Sequence, residues 1–312
     1  MHLTSHLSQM ISSIKSSSIR PMVKITEVGP RDGLQNIKKI LSVDTRVQLL
    51  QRLEQAGIRH VEVGSFVNSK LVPQLAKTDQ VLQKSFDVDM NMSLLVPTKQ
   101  ALHKVPKFVD EVVLFASVTD SFNQKNINCD GQTALQRFQD MIEWSKDHHR
   151  KFKFRGSISC VWGCPYEGKV DTMRVVDMIE EYQKMGVNSI DLCDTVGMAT
   201  PDTIQSVLEM VQGRCEVPIN LHLHNSFNRK TLSRNNVAIY NAIAALEMGI
   251  HSFHASIGGI GGCPFSSSSG GNLDTLELVE TLHSMGYPTG IDLFQLNLVN
   301  DWLRLQIGSQ YE

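Results

Sequence analysis

The chain has 312 residues, 41% of them apolar and 20% charged, and its 30 Lys+Arg against 32 Asp+Glu leave a net charge of −2. This is ordinary globular composition, which excludes a disordered, collagen-like or disulfide-stapled chain. Near-neutrality with 6% aromatics leaves no electrostatic footprint for nucleic acid, and no run approaches the roughly 18 uninterrupted apolar residues of a membrane span.

Residues 1–22 come first. They hold seven serines, Lys15 and Arg20, and the first acidic residue of the chain is Glu27. An acid-poor, Ser-rich start has features of a mitochondrial presequence. Its single arginine favours instead a flexible tail and a cytoplasmic address, with the mitochondrial matrix as the alternative. The cysteines are Cys129, Cys160, Cys164, Cys193, Cys215 and Cys263. None forms a CxxC pair, so reduced thiols are expected.

Eight short apolar runs then read as strands: Val23–Val28, His60–Val63, Met92–Val96, Glu111–Ala116, Phe154–Val161, Ser189–Leu192, Pro218–His224 and Ser252–Ile257. Most are β-branched or continuously apolar, as strands buried on both faces must be. Helical patterns lie between most of them. Ser42 is placed to cap one helix, and Thr200-Pro201-Asp202 reads as an N-cap followed by proline in the first turn. A half-repeat recurs at Gly57, Gly186 and Gly249, where a helix stops at glycine and a buried strand follows. The strand starts recur about every 33 residues, one βα unit each, and eight such units predict a closed (β/α)8 barrel of the TIM type. The step from the third to the fourth strand is short, so its helix should be short. Residues 23–312 read as one domain, with a helical C-terminal extension over about 286–312.

In such a barrel the functional groups lie at the C-terminal ends of the strands. Strand 1 runs into Gly29-Pro30-Arg31-Asp32-Gly33, and strand 2 carries Glu62 followed by Ser65. Strand 6 ends at Asp194-Thr195, strand 7 at His222-Leu223-His224-Asn225, and strand 8 runs into the glycine-rich segment before Cys263. His222 and His224 are two apart, so both side chains share a face. With Asp32 they make a set suited to a divalent cation of the Mg, Mn or Zn type; in isolation an H-x-H is as readily a pair of satisfied core histidines. Arg31 reads as a fixed cation for charge developing on oxygen, or as a surface ion pair. Glu62, on a strand otherwise rich in valine, must pair with Arg31 or face a polar cavity. Cys263 sits in a glycine- and serine-rich loop able to carry a reactive group over a site. Asn272 can supply an oxygen ligand, or cap a helix over Leu273–Leu282, or both.

The strings Gly29-Pro30-Arg31-Asp32-Gly33-Leu34-Gln35-Asn36, Lys125-Asn126-Ile127-Asn128-Cys129, Gly163-Cys164-Pro165-Tyr166-Glu167-Gly168-Lys169, Asp194-Thr195-Val196-Gly197, His222-Leu223-His224 and Gly261-Gly262-Cys263-Pro264-Phe265 resemble the 3-hydroxy-3-methylglutaryl-CoA lyase family. The resemblance spans residues 23 to about 300. It implies that Asp32, His222, His224 and Asn272 hold Mg²⁺ or Mn²⁺, and that Glu62 or His222 serves as base. It further implies that Arg31 stabilises an enolate, that Cys263 protonates it, and that the substrate is an acyl-CoA cleaved to acetyl-CoA and acetoacetate. Ser65, Lys125, Asn126 and Thr195 are expected on the substrate and CoA side, and a homodimer is expected. Three departures stand out: Asn225 where the family has Asp, a longer segment over 226–236, and His254 where the family has Asp or a small polar residue. Asn225 is expected to weaken ligand orientation, and His254 to face the barrel interior. The alternatives are a lyase for a different 3-hydroxyacyl-CoA, or a catalytically impaired acyl-CoA-binding paralogue.

Overall fold

The structure, a computed structural model, describes residues 20–228, 233–262 and 269–308. Eight parallel strands close into a barrel: β1 (Lys24–Glu27), β2 (His60–Ser65), β3 (Asn91–Leu95), β4 (Glu111–Ser117), β5 (Lys153–Ser159), β6 (Ser189–Cys193), β7 (Ile219–His222) and β10 (Ser252–Ala255). Around the barrel they run in chain order, and β10 returns to pair with β1. Every predicted strand is present, and the expected (β/α)8 architecture is the observed one. Three further strands, β8 (His224–Asn228), β9 (Ser233–Asn235) and β11 (Ser269–Asn272), form a separate antiparallel sheet in the order β11-β8-β9.

Ten helices accompany the described strands: α1 (Val43–Gln55), α2 (Thr78–Lys84), α3 (Lys99–Leu102), α4 (Asp120–Ile127), α5 (Gly131–Asp147), α6 (Thr172–Met185), α7 (Pro201–Gln212), α8 (Val237–Glu247), α9 (Thr275–Ser284) and α10 (Leu293–Ile307). Their starts follow ordinary capping chemistry. Ser42 accepts a hydrogen bond from the Thr45 amide at the head of α1, and Thr200 makes a capping box at α7 ahead of Pro201. Gly186, just past α6, has φ +86°, the left-handed conformation its position requires. The short third step holds only the four-residue α3, and α10 supplies the C-terminal helix. The barrel strands are buried on both faces, with Val61, Val63, Leu94, Val112, Leu114, Ile190, Leu192, Leu221 and Phe253 fully or almost fully enclosed. Burial at this scale, about 25 cal/mol per Å² of apolar surface, is the main source of the fold's stability.

Most strand ends shift by one or two residues, and four boundary differences bear on the site. Strand 7 does not run to His224. It ends at His222, and the Leu223 carbonyl accepts from the Leu273 amide at 3.0 Å, a bond that draws the chain out of the barrel and into β8. Strand 5 stops at Ser159, because Cys160 turns the chain with φ +63°. Strand 8 stops at Ala255, and a short 3-10 turn over Ile257–Gly259 follows. The last helix before the extension starts at Thr275 rather than Leu273, and its cap is Asp274, which accepts from the Leu276 amide; Asn272 therefore does not cap it.

Candidate active site

The C-terminal end of β1 is held by a buried carboxylate. Glu27 accepts from the amides of Gly29 (2.8 Å) and Ile257 (2.9 Å) and from Thr275 Oγ1 (2.6 Å), so one side chain joins β1, the segment after β10 and the head of α9. A β-carbon on Gly29 would lie 2.5 Å from Glu27 Oε1, so any other residue there would displace this carboxylate from its three hydrogen bonds. The chain then makes a π-helical turn over Gly29–Gly33, with the Asp32 amide donating to the Val28 carbonyl at 2.7 Å. That turn aims Arg31 and Asp32 across the barrel mouth.

Arg31 donates from Nε to Glu62 Oε1 at 2.6 Å and from Nη1 to Asp32 Oδ1 at 2.5 Å, with 13% of its side chain exposed. Glu62 therefore pairs with Arg31 and also lines a cavity, at its polar end. Burial disfavours charge on Asp32, yet Arg31, the two histidines and the Asn272 amide together hold its carboxyl below the usual range. Gln35 Nε2 reaches Asp32 Oδ1 at 3.0 Å, and Asn272 Nδ2 reaches Oδ2 at 2.8 Å. Gly261 (φ +100°) passes close by; a β-carbon there would sit 2.5 Å from Asn272 Nδ2 and 2.7 Å from the Asp32 carbonyl.

His222 Nε2 and His224 Nε2 lie 3.9 and 4.0 Å from Asp32 Oδ2. Among the described residues these three side chains form the cluster able to hold a metal ion, with donor atoms within 4.8 Å of one another and all three buried. The donor chemistry fits a divalent cation. His224 Nδ1 is 2.9 Å from the Asp194 carbonyl, which only accepts, so the ring proton is there and the lone pair is on Nε2. That buried Nε2 has no hydrogen-bond partner among the described residues. Burial pushes His222 down to about 3 and lowers His224, so both rings are neutral, as ligands must be.

A cavity of about 740 Å³ opens from this cluster, and Arg31, Asp32, Glu62, Ser65, Lys125, Asn126, Thr195, His222 and His224 all line it. Asn272 joins through Asp32. Ser65 Oγ also donates to the Leu95 carbonyl, and Thr195 Oγ1 accepts from the Cys160 amide. Cys263 lies outside the described residues. Asn225 hydrogen-bonds neither histidine among the described residues: its Oδ1 accepts from the Ala238 amide (3.1 Å) in the first turn of α8, where Asn236 makes no cap, and its Nδ2 reaches the Asn272 carbonyl at 3.4 Å. Of the segment over 226–236, the described residues supply the end of β8 and all of β9, which pair antiparallel, and β8 pairs His224 with Asn272 of β11.

The sequence reading missed Arg155. This residue of β5 is buried in the barrel, with Nε 3.1 Å from Glu111 and 3.4 Å from Asp191, Nη2 3.4 Å from Glu62, and Nη1 2.6 Å from His254 Nε2. His254 faces inward as expected. Burial, opposed by Arg155, pushes Asp191 up to about 7. The signal was present in Lys153-Phe154-Arg155-Gly156-Ser157-Ile158-Ser159, whose alternate residues are polar although both faces of a barrel strand are enclosed.

The HMGL-like family pattern matches residues 22–302. The chain belongs to the HMGL-like family. The cytoplasmic 3-hydroxy-3-methylglutaryl-CoA (HMG-CoA) lyase of Rattus norvegicus is 36% identical over 92% of this chain and 82% of its own length. The mitochondrial hydroxymethylglutaryl-CoA lyase of Homo sapiens is 35% identical over 92% of this chain and 86% of its own. An HMG-CoA lyase of Acinetobacter baumannii, solved with coenzyme A and 3-methylmalate, superposes with a TM-score of 0.83 at 30% identity, covering 94% of this chain and 93% of that one. The family expected from the sequence is thus the family found, and its members here are carbon–carbon lyases. Its relatives include both cytoplasmic and mitochondrial forms. No helix among the described residues is long and apolar enough to cross a membrane.

Proposed function

We propose that the protein cleaves 3-hydroxy-3-methylglutaryl-CoA to acetyl-CoA and acetoacetate. The observation that carries this reading is the buried Asp32–His222–His224 cluster opening, beside Arg31, onto a cavity lined by Lys125 and Asn126. Asp32, His222, His224 and Asn272 would hold the divalent cation, Mg²⁺ or Mn²⁺, which when bound supplies Lewis acidity to substrate oxygens.

The residues of the chain do the rest. Glu62 Oε2, whose contact with Arg155 Nη2 is a long 3.4 Å, takes the proton of the tertiary hydroxyl. His222 suits that task less well, since its Nε2 is turned to Asp32 and its Nδ1 to His254. As the hydroxyl oxygen becomes a ketone, the C2–C3 bond breaks and its electron pair passes into the thioester as an enolate. Arg31, already fixed by two carboxylates, presents its guanidinium to that oxygen. A preorganised donor of this kind is worth about 10²–10³ in rate. Cys263, assigned from the sequence pattern, returns a proton to C2 and completes acetyl-CoA. Ser65 and Thr195 border the acyl group, and Lys125 and Asn126 of α4 meet the CoA portion. A cytoplasmic address and assembly as a homodimer complete this reading.

One feature favours a second substrate. Away from the cluster the cavity is walled by Leu71, Leu75, Leu95, Val113, Phe115 and Phe138, an apolar space suited to a larger branch on the acyl group. A panel of 3-hydroxyacyl-CoA thioesters incubated with the protein and Mn²⁺, followed by acetyl-CoA release, tests both. Cleavage of HMG-CoA first among them is expected. Faster cleavage of a bulkier thioester transfers the assignment to that substrate, and no cleavage of any overturns the lyase reading in favour of an acyl-CoA-binding paralogue.

A further inference from the structure

His254 is 3% exposed, projects into the barrel from β10, and has no part in the steps above. Both ring nitrogens are engaged. Nε2 lies between a donor and an acceptor, 2.6 Å from Arg155 Nη1 and 3.5 Å from Asp191 Oδ1. Nδ1 faces His222 Nδ1 at 3.4 Å. Burial and the charge on Arg155 keep the ring neutral, with one proton to place.

Two Nδ1 atoms facing each other share a single hydrogen, so the two rings have two joint arrangements. In the first, Arg155 donates to His254 Nε2, because a guanidinium only donates. His254 then carries its proton on Nδ1 and gives it to His222 Nδ1, and the His222 proton is left on Nε2, turned to Asp32. That tautomer has no lone pair for a cation. In the second, His254 carries its proton on Nε2 and donates to Asp191, and His222 donates from Nδ1 to His254. The Nε2 lone pair of His222 then faces Asp32 beside that of His224. Each arrangement holds two ring protons. In passing from first to second, the His222 Nε2 proton leaves to water, the His254 Nδ1 proton crosses to His222 Nδ1, and a proton from water fills His254 Nε2. His224 has no such choice, since the Asp194 carbonyl fixes its proton on Nδ1.

We propose that His254 and Asp191 are positioning residues that set the tautomer of His222 and so prepare it to ligate, with Arg155 competing for the same ring nitrogen. The inference rests on the reading of Asp32, His222 and His224 as a cation site. Outer partners of this kind are worth about 10–100-fold in metal affinity.

Calorimetric titration of the chelator-treated full chain with Mn²⁺ alone tests it. His254→Ala and Asp191→Asn should each weaken binding by about 10–100-fold. His254→Asn, which keeps an acceptor where Nδ1 stood, should bind near the wild-type level, and adding Asp191→Asn to it should change nothing further. In ¹⁵N spectra of histidine-labelled protein, His222 Nδ1 should gain its proton on addition of Mg²⁺, and fail to do so in Asp191→Asn. Wild-type Mn²⁺ affinity in a folded His254→Ala, or an Asp191→Asn effect that persists in the His254→Asn background, overturns the proposal. Failure of the wild type itself to bind Mn²⁺ would instead remove the cation-site reading beneath it.

Discussion

The two halves of the cavity are built on opposite principles. On the side of β1, β7 and β10, nearly every group is polar and tied to another: Arg31 to Glu62 and Asp32, Asn272 to Asp32, and His224 to the Asp194 carbonyl. On the side of β3 and β4 the lining is Leu95, Val113 and Phe115, with Phe138 of α5 behind. The polar half is rigid because each buried polar group must keep its partner, and losing one leaves another unsatisfied at about 1–3 kcal/mol. The apolar half has no such obligations and can change shape by substitution without stranding a donor. On the proposed function, chemistry is then fixed on one side while substrate preference is free to vary on the other.

The strongest way to break this contrast is at Asp32. Asp32→Asn keeps the side-chain volume and removes the negative charge that the two histidines face. Loss of Mn²⁺ binding is expected, with acetyl-CoA release falling by about 10³-fold, equivalent to several kcal/mol of lost Lewis-acid stabilisation. Chelation of the wild type should produce the same fall and Mn²⁺ should reverse it. Turnover within tenfold of wild type in Asp32→Asn would show that the polar half is not the reacting half. The matching test of the other half is Val113→Phe, at a β4 residue that lines the cavity. Filling that space should lower kcat/KM for thioesters with a bulky branch by about 10–200-fold relative to HMG-CoA. An equal fall for both substrates would mean that the chamber does not select.

Asn225 sharpens the comparison at the rim. As an acceptor for the Ala238 amide it does the work of a helix cap from a distant strand. Asn225→Ala should reduce stability by about 1 kcal/mol, read as a lower midpoint in urea. It should bind Mn²⁺ like the wild type, since this side chain hydrogen-bonds neither histidine among the described residues. A large loss of affinity in Asn225→Ala would restore the expectation that this position orients the ligands.

What the sequence made legible was whatever depends on local period. Eight buried runs at one βα spacing, the glycines after helices, and two histidines two residues apart all have a chain-local cause, and the barrel and its Asp32–His222–His224 cluster follow from them. What was hidden depends on pairing between distant segments. His224 reads as the end of strand 7, and only the bond between Leu223 and Leu273 removes it to the mouth sheet. Asn272 reads as a helix cap until Asp274 is seen to fill that place. Arg155 was overlooked because a lone arginine in a half-polar strand looks solvated, and its partners Glu62, Glu111, Asp191 and His254 come from four other strands.

The last test lies beneath the polar half, at Glu27. Burial, set against three hydrogen bonds, pushes its carboxyl up to about 7 from an ordinary 4.5. The folded state therefore binds more protons than the unfolded state between those values, and stability from this group is full below about 4.5 and is lost as pH rises through about 7. Glu27→Gln cannot titrate. Its Oε1 still accepts from the Gly29 and Ile257 amides, and Thr275 can turn its hydroxyl to accept from Nε2. The stability difference between wild type and Glu27→Gln, measured by urea unfolding, should thus move against the wild type from pH 5.5 to pH 8. Asp191 and Asp194, also raised to about 7 by burial, are common to both proteins and cancel in the difference. A difference that stays constant with pH would mean that the turn carrying Arg31 and Asp32 rests on an already ionised carboxylate, and that the polar half keeps its shape by charge as well as by hydrogen bonding.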